Sequence, residues 1–252
     1  MTTMQRLQGK NVLITGGSSG IGLATARLFL EHGARVAITG RDEATLAEAR
    51  KALGNDVLAL RSDAARVADI EQLMSTLKER WGRLDVLFVN AAVAGPAPFE
   101  LVSESQFDEL SAINFKGVFF TVQKALPLLS GKASVILTTS IANQMGSPNF
   151  SVYGACKAAL RSLVQTLGLE LIGRGIRTNA ISPGPITTPM WGKFGMPDEA
   201  AEAVKAQIQQ KSPIRRFGDC GEVANAALFL ACDESSYVVG HEIVVDGGMS
   251  LL

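Results

Sequence analysis

Seven short apolar runs, separated by segments with helical spacing, constrain the fold of this chain more than any other feature. The runs cover residues 11–15, 35–39, 57–61, 86–90, 134–139, 177–182 and 242–245, each of strand length. Several are too apolar to leave either face in water, so the sheet they form must be covered on both sides. Helical spacing fills the gaps. Ile21, Ala24, Leu28 and Leu30 fall toward one side of the first helix, and Val67, Ile70, Leu73, Met74 and Leu77 follow the same period later. Asp42 can cap the second helix, and Ser103-Glu-Ser-Gln106 has the pattern of a capping box opening one long helix over 103–126. A further long helix is expected at 151–172, then helices at 197–211 and 221–231, with a Pro/Gly-rich loop at 183–197 that can continue neither element. Strands alternating with helices throughout require an α/β fold: a Rossmann-like, doubly wound parallel sheet of about seven strands with right-handed crossovers and helices on both faces. No repeat, linker or low-complexity tract divides the 252 residues, so residues 1–252 are read as a single domain.

Composition narrows the function classes. The 24 basic and 24 acidic residues cancel, which removes any global attraction to nucleic acid or anionic lipid. No apolar stretch approaches the length of a membrane span, and residues 1–10 lack the apolar core of a signal peptide, so a cytoplasmic location is expected. Cys156, Cys220 and Cys232 form no C-x-x-C pair, and with only His32 and His241 present no metal site is expected.

Ligands of such sheets bind at the carboxyl ends of the strands. Directly after the first run comes Thr15-Gly16-Gly17-Ser18-Ser19-Gly20-Ile21-Gly22, opening a helix. Glycines there let the backbone turn and approach a pyrophosphate, whose charge the helix N-terminus favours. The spacing differs from G-x-G-x-x-G, and no Walker lysine follows, so a dinucleotide fits better than a nucleoside triphosphate. After the second run, where an acidic residue would hold the ribose hydroxyls of NAD, stands Arg41. Its guanidinium can bind the 2′-phosphate of NADP with two charge-assisted hydrogen bonds; the ordinary alternative is a solvated arginine beside Asp42. Asp63 can accept from the adenine amino group or cap the following helix, and Asn90 ends the fourth run where the adenine ribose should lie, or simply shapes a turn.

Ser140 follows the fifth run, and Tyr153 and Lys157 lie four residues apart on one face of the next helix. A free phenol, with a pKa of about 10, exchanges protons poorly at neutral pH, and a neighbouring cation would lower that value. Ser140 can polarise the same substrate oxygen.

Taken in order along nearly the whole chain, Thr15-Gly16-x-x-x-Gly20-x-Gly22, Asn90-Ala91-Ala92, Asn114, Ser140, Tyr153-x-x-x-Lys157 and Pro183-Gly184 resemble the short-chain dehydrogenase/reductase family. The resemblance implies that Tyr153 is the general acid/base and that Ser140 orients the substrate carbonyl or hydroxyl. It implies that Lys157 binds the nicotinamide ribose while lowering the tyrosine pKa, and that Asn114 holds a water of a proton relay. It also places the nicotinamide amide against the Ile186 backbone and the Thr188 hydroxyl, beyond Pro183 and Gly184. Residues 183–212 would then form a substrate loop and lid helix, with Met190, Trp191, Phe194 and Met196 closing over substrate, packing in the core or meeting a neighbouring subunit. Family members are usually homotetramers built through the two long helices, and the apolar tail 249–252 could dock at such an interface. One departure stands out: alanine occupies a position after Asn90 where glycine is usual. Cys156, His32 and His241 receive no role.

The function expected is NADP(H)-dependent hydride transfer between nicotinamide and a carbonyl or secondary alcohol of a small-molecule substrate. The alternatives are an NAD(H)-dependent dehydrogenase oxidising a sugar, sterol or other hydroxyl compound, and a non-catalytic dinucleotide-binding regulator.

Overall fold

The computed structural model describes residues 5–195 and 197–252; Met196, expected in the lid, lies outside the described residues. Seven parallel strands form one sheet in the order β3-β2-β1-β4-β5-β6-β7. They are β1 (Asn11–Thr15), β2 (Arg35–Gly40), β3 (Leu58–Arg61), β4 (Leu84–Val89), β5 (Leu129–Thr138), β6 (Arg177–Pro183) and β7 (Glu242–Val245). The chain winds outward from β1 to β3, then returns to pair β4 against the other side of β1. That reversal opens a crevice at the carboxyl ends of β1 and β4, where doubly wound sheets bind ligands.

Among the described residues eight α-helices cover the faces: α1 (Gly20–Glu31), α2 (Glu43–Leu53), α3 (Val67–Trp81), α4 (Glu104–Ser111), α5 (Gly117–Ala125), α6 (Ser151–Ile172), α7 (Asp198–Lys211) and α8 (Cys220–Ala231). Alternate strand residues feed two cores. Val12, Ile14, Val86 and Phe88 pack with Phe29 of α1, Leu46 of α2 and Leu228 of α8. Leu13, Leu87 and Val89 pack with Leu73 of α3, Val118 of α5 and Leu160 of α6. No helix is long and apolar enough to cross a membrane among the described residues.

The structure corrects four sequence expectations. The fully buried stripe of α1 is Gly22, Thr25, Ala26 and Phe29, with Ile21, Leu28 and Leu30 only partly buried beside it. Small residues let α1 lie close against its neighbours, so the bulky aliphatics flank the contact instead of filling it. The helix expected over 103–126 is broken by a π-helical turn at Ala112–Lys116 that separates α4 from α5, and such turns change the direction of the side chains beyond them. Ser103 caps α4 by accepting the Gln106 N–H at 3.2 Å, but the reciprocal half of the box is diverted. Gln106 Nε2 donates to the Gly95 carbonyl at 3.1 Å, tying α4 to the segment after β4. Finally, β5 begins at Leu129, five residues early, because a register shift between Leu84 and Val86 lets Leu129 pair with Leu84. Elsewhere Asp42 caps α2 as expected, accepting the Thr45 N–H at 2.8 Å.

Candidate active site

A cavity of about 680 Å³ occupies the crevice at the strand ends. At one end, Gly16 has a φ of +66° and Ala91 Cα would stand 2.8 Å from a Cβ placed there, so only glycine permits both the turn and the approach. Gly22 serves the same turn by closeness: an added Cβ would meet the Gly16 carbonyl oxygen at 2.3 Å. Ser19, the N-cap of α1, makes no side-chain capping bond, and the first turn holds no carboxylate. The unpaired N–H groups of that turn are therefore available to an anion. Ser18, Ser19, Gly20 and Ile21 line the cavity, whereas Gly22 is buried packing beneath it. Gly22→Ala is expected to weaken dinucleotide binding at least about tenfold and to cost about 1–3 kcal/mol of stability through overpacking. Fluorescence titration and a thermal melt check this; an alanine variant that binds normally would show that the close approach is dispensable.

Asn90 latches three strand ends together. Its Nδ2 donates to the Thr15 carbonyl at 3.2 Å, its Oδ1 accepts from Thr138 Oγ1 at 3.3 Å, and its N–H donates to Thr15 Oγ1 at 3.0 Å. The alanines after it carry ordinary negative φ, so glycine's conformational freedom is not required there. Arg41, after β2, and Asp63, after β3, line the cavity on the other side of β1 from Asn90. Asp63 does not cap α3, whose N-cap is Arg66; it accepts the Ala65 N–H at 3.0 Å in a local turn.

At the other end, Ser140, Tyr153, Lys157, Pro183, Gly184, Ile186 and Thr188 line the cavity together. Ser140 caps the short 3₁₀ turn Ile141–Asn143, accepting the Ala142 N–H at 3.2 Å, and also hydrogen-bonds the Tyr153 hydroxyl. Lys157 is 1% exposed. Its Nζ donates to the Thr138 carbonyl at 2.7 Å and stands 5.5 Å from the centroid of the Tyr153 ring. Burial lowers its pKa to about 8, with the neighbouring Cys156 thiol opposing that shift. Burial raises the Tyr153 pKa, and the Ser140 hydrogen bond opposes the rise. In the free protein, desolvation thus dominates both groups, and the expected lowering of the phenol by Lys157 is not among the causes of its shift. A phenol, a hydroxyl and a buried ammonium converging on one space can pass a proton to a bound oxygen.

One support was invisible in the sequence. Behind Ser140, the half-buried Glu242 accepts from Thr139 Oγ1 at 2.5 Å and from Asn143 Nδ2 at 2.7 Å, fixing both sides of the serine. Asn114, fully buried in the π turn, does not line the cavity. Its Oδ1 accepts the Val93 N–H at 3.1 Å and its Nδ2 donates to the Val93 carbonyl at 2.9 Å. Each polar atom of that side chain therefore makes one bond to the Val93 main chain, which fixes the amide in place. The buried Cys156 packs in α6.

Residues 16–250 match the family profile described as enoyl-(acyl carrier protein) reductase. The chain is 39% identical to Oxidoreductase asL5 of Sarocladium schorii, with 99% of each covered. It is 36% identical to the glucose 1-dehydrogenase of Gluconobacter oxydans, over 98% of this chain and 94% of that protein. The crystal structure of levodione reductase superposes with a TM-score of 0.93 at 32% identity, covering 98% of this chain and 99% of the other.

Proposed function

The chain belongs to the short-chain dehydrogenase/reductase family, and from that premise we propose that it is an NADP(H)-dependent oxidoreductase in which Tyr153 moves the proton. As a family member it is an NAD(P)-dependent enzyme that transfers hydride; the preference for NADP(H) and the residue roles are our reading. The observation that carries it is the convergence of Ser140, Tyr153 and the buried Lys157 on one wall of a cavity whose far end carries Arg41.

The residues present suit a nicotinamide dinucleotide. The Gly16 cradle and the open N-terminus of α1 would hold its pyrophosphate, Asp63 and Asn90 flank the adenosine end, and Pro183, Gly184, Ile186 and Thr188 would hold the nicotinamide end. When bound, the cofactor supplies or accepts the hydride. Every other task falls to the chain. In carbonyl reduction, Ser140 donates to the substrate oxygen, its acceptor side already taken by the Ala142 N–H. Tyr153 gives its proton to that oxygen as the carbonyl carbon gains hydride; in alcohol oxidation the proton returns. Lys157, held by Thr138, keeps two N–H groups for the nicotinamide ribose and a positive charge beside the phenol. Asn114, anchored to Val93 by one bond at each end of its amide, would hold the relay water.

Arg41 supports NADP(H): it is the exposed cation at the end of β2, and its neighbour Asp42 is occupied in capping α2. Arg41→Asp is expected to lower the preference for NADP over NAD about a hundredfold, the loss of two charge-assisted hydrogen bonds. Ratios of kcat/KM with the two cofactors measure this, and an unchanged ratio would assign the phosphate to another residue.

The reading also carries a cytoplasmic homotetramer. Phe107 on α4, Phe119 on α5, and Leu169 and Ile172 on α6 are exposed, apolar surface that a neighbouring subunit would cover. Leu251 and Leu252, in the tail expected at an interface, are likewise exposed. Light scattering at micromolar concentration is expected to give four times the 26.7 kDa chain mass; a monomer would contradict the assembly.

A further inference from the structure

The catalytic tyrosine begins a series of rings. Tyr153 meets Phe150 at 6.0 Å between centroids, Phe150 meets Phe194 at 6.1 Å, Phe194 meets Trp191 at 5.4 Å and Trp191 meets Phe217 at 5.2 Å. All four contacts are edge-to-face, the arrangement that aromatic pairs favour. Phe150, Phe194 and Trp191 line the cavity beside Tyr153, together with Ile141, Met190 and Val93. The wall is also anchored: Trp191 Nε1 donates to the Ile186 carbonyl at 2.9 Å, so the indole satisfies its own donor and offers only carbon to a ligand.

Charge is distributed in the opposite sense. Among the described residues lining the cavity, the ionisable ones are Arg41, Asp42 and Asp63 at the adenosine end, the catalytic Lys157 and Tyr153, and Glu109, an exposed residue of α4. Apart from the catalytic Lys157, whose amine is tied to the Thr138 carbonyl, the described lining residues beside the rings offer no cation to a substrate carboxylate or phosphate. Beyond Ser140 and Tyr153, which are committed to the reacting oxygen, the uncharged polar side chains on this part of the lining are few: Ser147, Thr139, whose hydroxyl is bonded to Glu242, and Thr188. A polyhydroxylated substrate would leave several hydroxyls stripped of water without partners.

From this asymmetry we infer that the substrate is an uncharged ketone, or its secondary alcohol, carried on an apolar ring system that lies against Phe150, Phe194 and Trp191. Flat rigid groups fit such a wall best, because they cover aromatic surface without surrendering the torsional freedom that a flexible acyl chain loses on binding. The inference rests on the hydride-transfer reading above and deepens it by naming the substrate class.

The test measures kcat/KM with NADPH for 2-tetralone, pyruvate and an acetoacetyl thioester, and with NADP⁺ for D-glucose, in the unmodified protein and in Phe194→Ala. The expected result is that 2-tetralone exceeds each of the others at least tenfold. Phe194→Ala should then lower kcat/KM for 2-tetralone at least tenfold more than for 2-butanone, with the loss chiefly in KM. A preference for glucose, pyruvate or the thioester would overturn the substrate class while leaving the oxidoreductase reading intact, as would an equal loss for 2-tetralone and 2-butanone in the variant. Tight NADPH binding without hydride transfer to any of the compounds would overturn both.

Discussion

Tyr153→Phe is expected to lower kcat for ketone reduction about 10³-fold while leaving the dinucleotide Kd within about twofold, the range that general-acid catalysis contributes. The substitution removes one oxygen and keeps the ring, so the edge-to-face contact with Phe150 at 6.0 Å survives and the cavity keeps its shape. Only the proton source is lost. Ser140 cannot replace it, because a serine hydroxyl near neutral pH has no comparable acidity; it polarises the substrate oxygen without discharging the alkoxide. Stopped-flow measurement of NADPH oxidation separates binding from chemistry, and full activity in the phenylalanine variant would remove Tyr153 from the reaction.

Lys157→Met is expected to act in two opposed directions. Turnover should fall about as far as in the tyrosine variant, since the methionine offers neither charge beside the phenol nor donors to a ribose. Stability should rise. The Lys157 pKa is lowered from 10.5 to about 8 by burial, so between those values the unfolded chain binds more protons than the folded one and stability increases with pH. Below pH 8 the folded state carries the full cost of a buried ammonium, at most about 3 kcal/mol from the size of the shift. Losing the bond to the Thr138 carbonyl offsets about 1 kcal/mol of the gain. Lys157→Met should therefore be more stable than the unmodified protein at pH 7, by up to about 2 kcal/mol, an advantage that fades as pH rises through 8 toward 10.5. Urea titrations at pH 7 and 10 measure the difference. A variant that is less stable at pH 7 would mean that the amine is solvated or otherwise compensated in the folded protein.

The strands were legible because a parallel sheet covered on both faces forces continuous apolar runs, and residues such as Val86 to Val89 leave no other place for themselves. The glycine turn and the Tyr153-Lys157 spacing were legible for a similar reason: each packs several constraints into a few adjacent positions. What escaped notice depends on partners distant in sequence. Gln106 leaves its capping box for Gly95, 11 residues away, and Glu242 reaches Thr139 across 103 positions, pairings that no local period announces. The π turn at Asn114 was hidden because its sequence, Ala-Ile-Asn-Phe-Lys, would sit equally well in an α-helix. The pKa directions also required the fold. Spacing puts Lys157 beside Tyr153, but only the depth of burial decides that each group is first shifted by desolvation and not by its neighbour.

The most direct test is a crystal structure of the protein with NADPH and a bound ketone. It should show Tyr153 Oη and Ser140 Oγ both about 3 Å from the ketone oxygen, within hydrogen-bond reach, and Lys157 Nζ on the nicotinamide ribose. A tyrosine turned away from the ring, with the Lys157 amine in solvent, would contradict it.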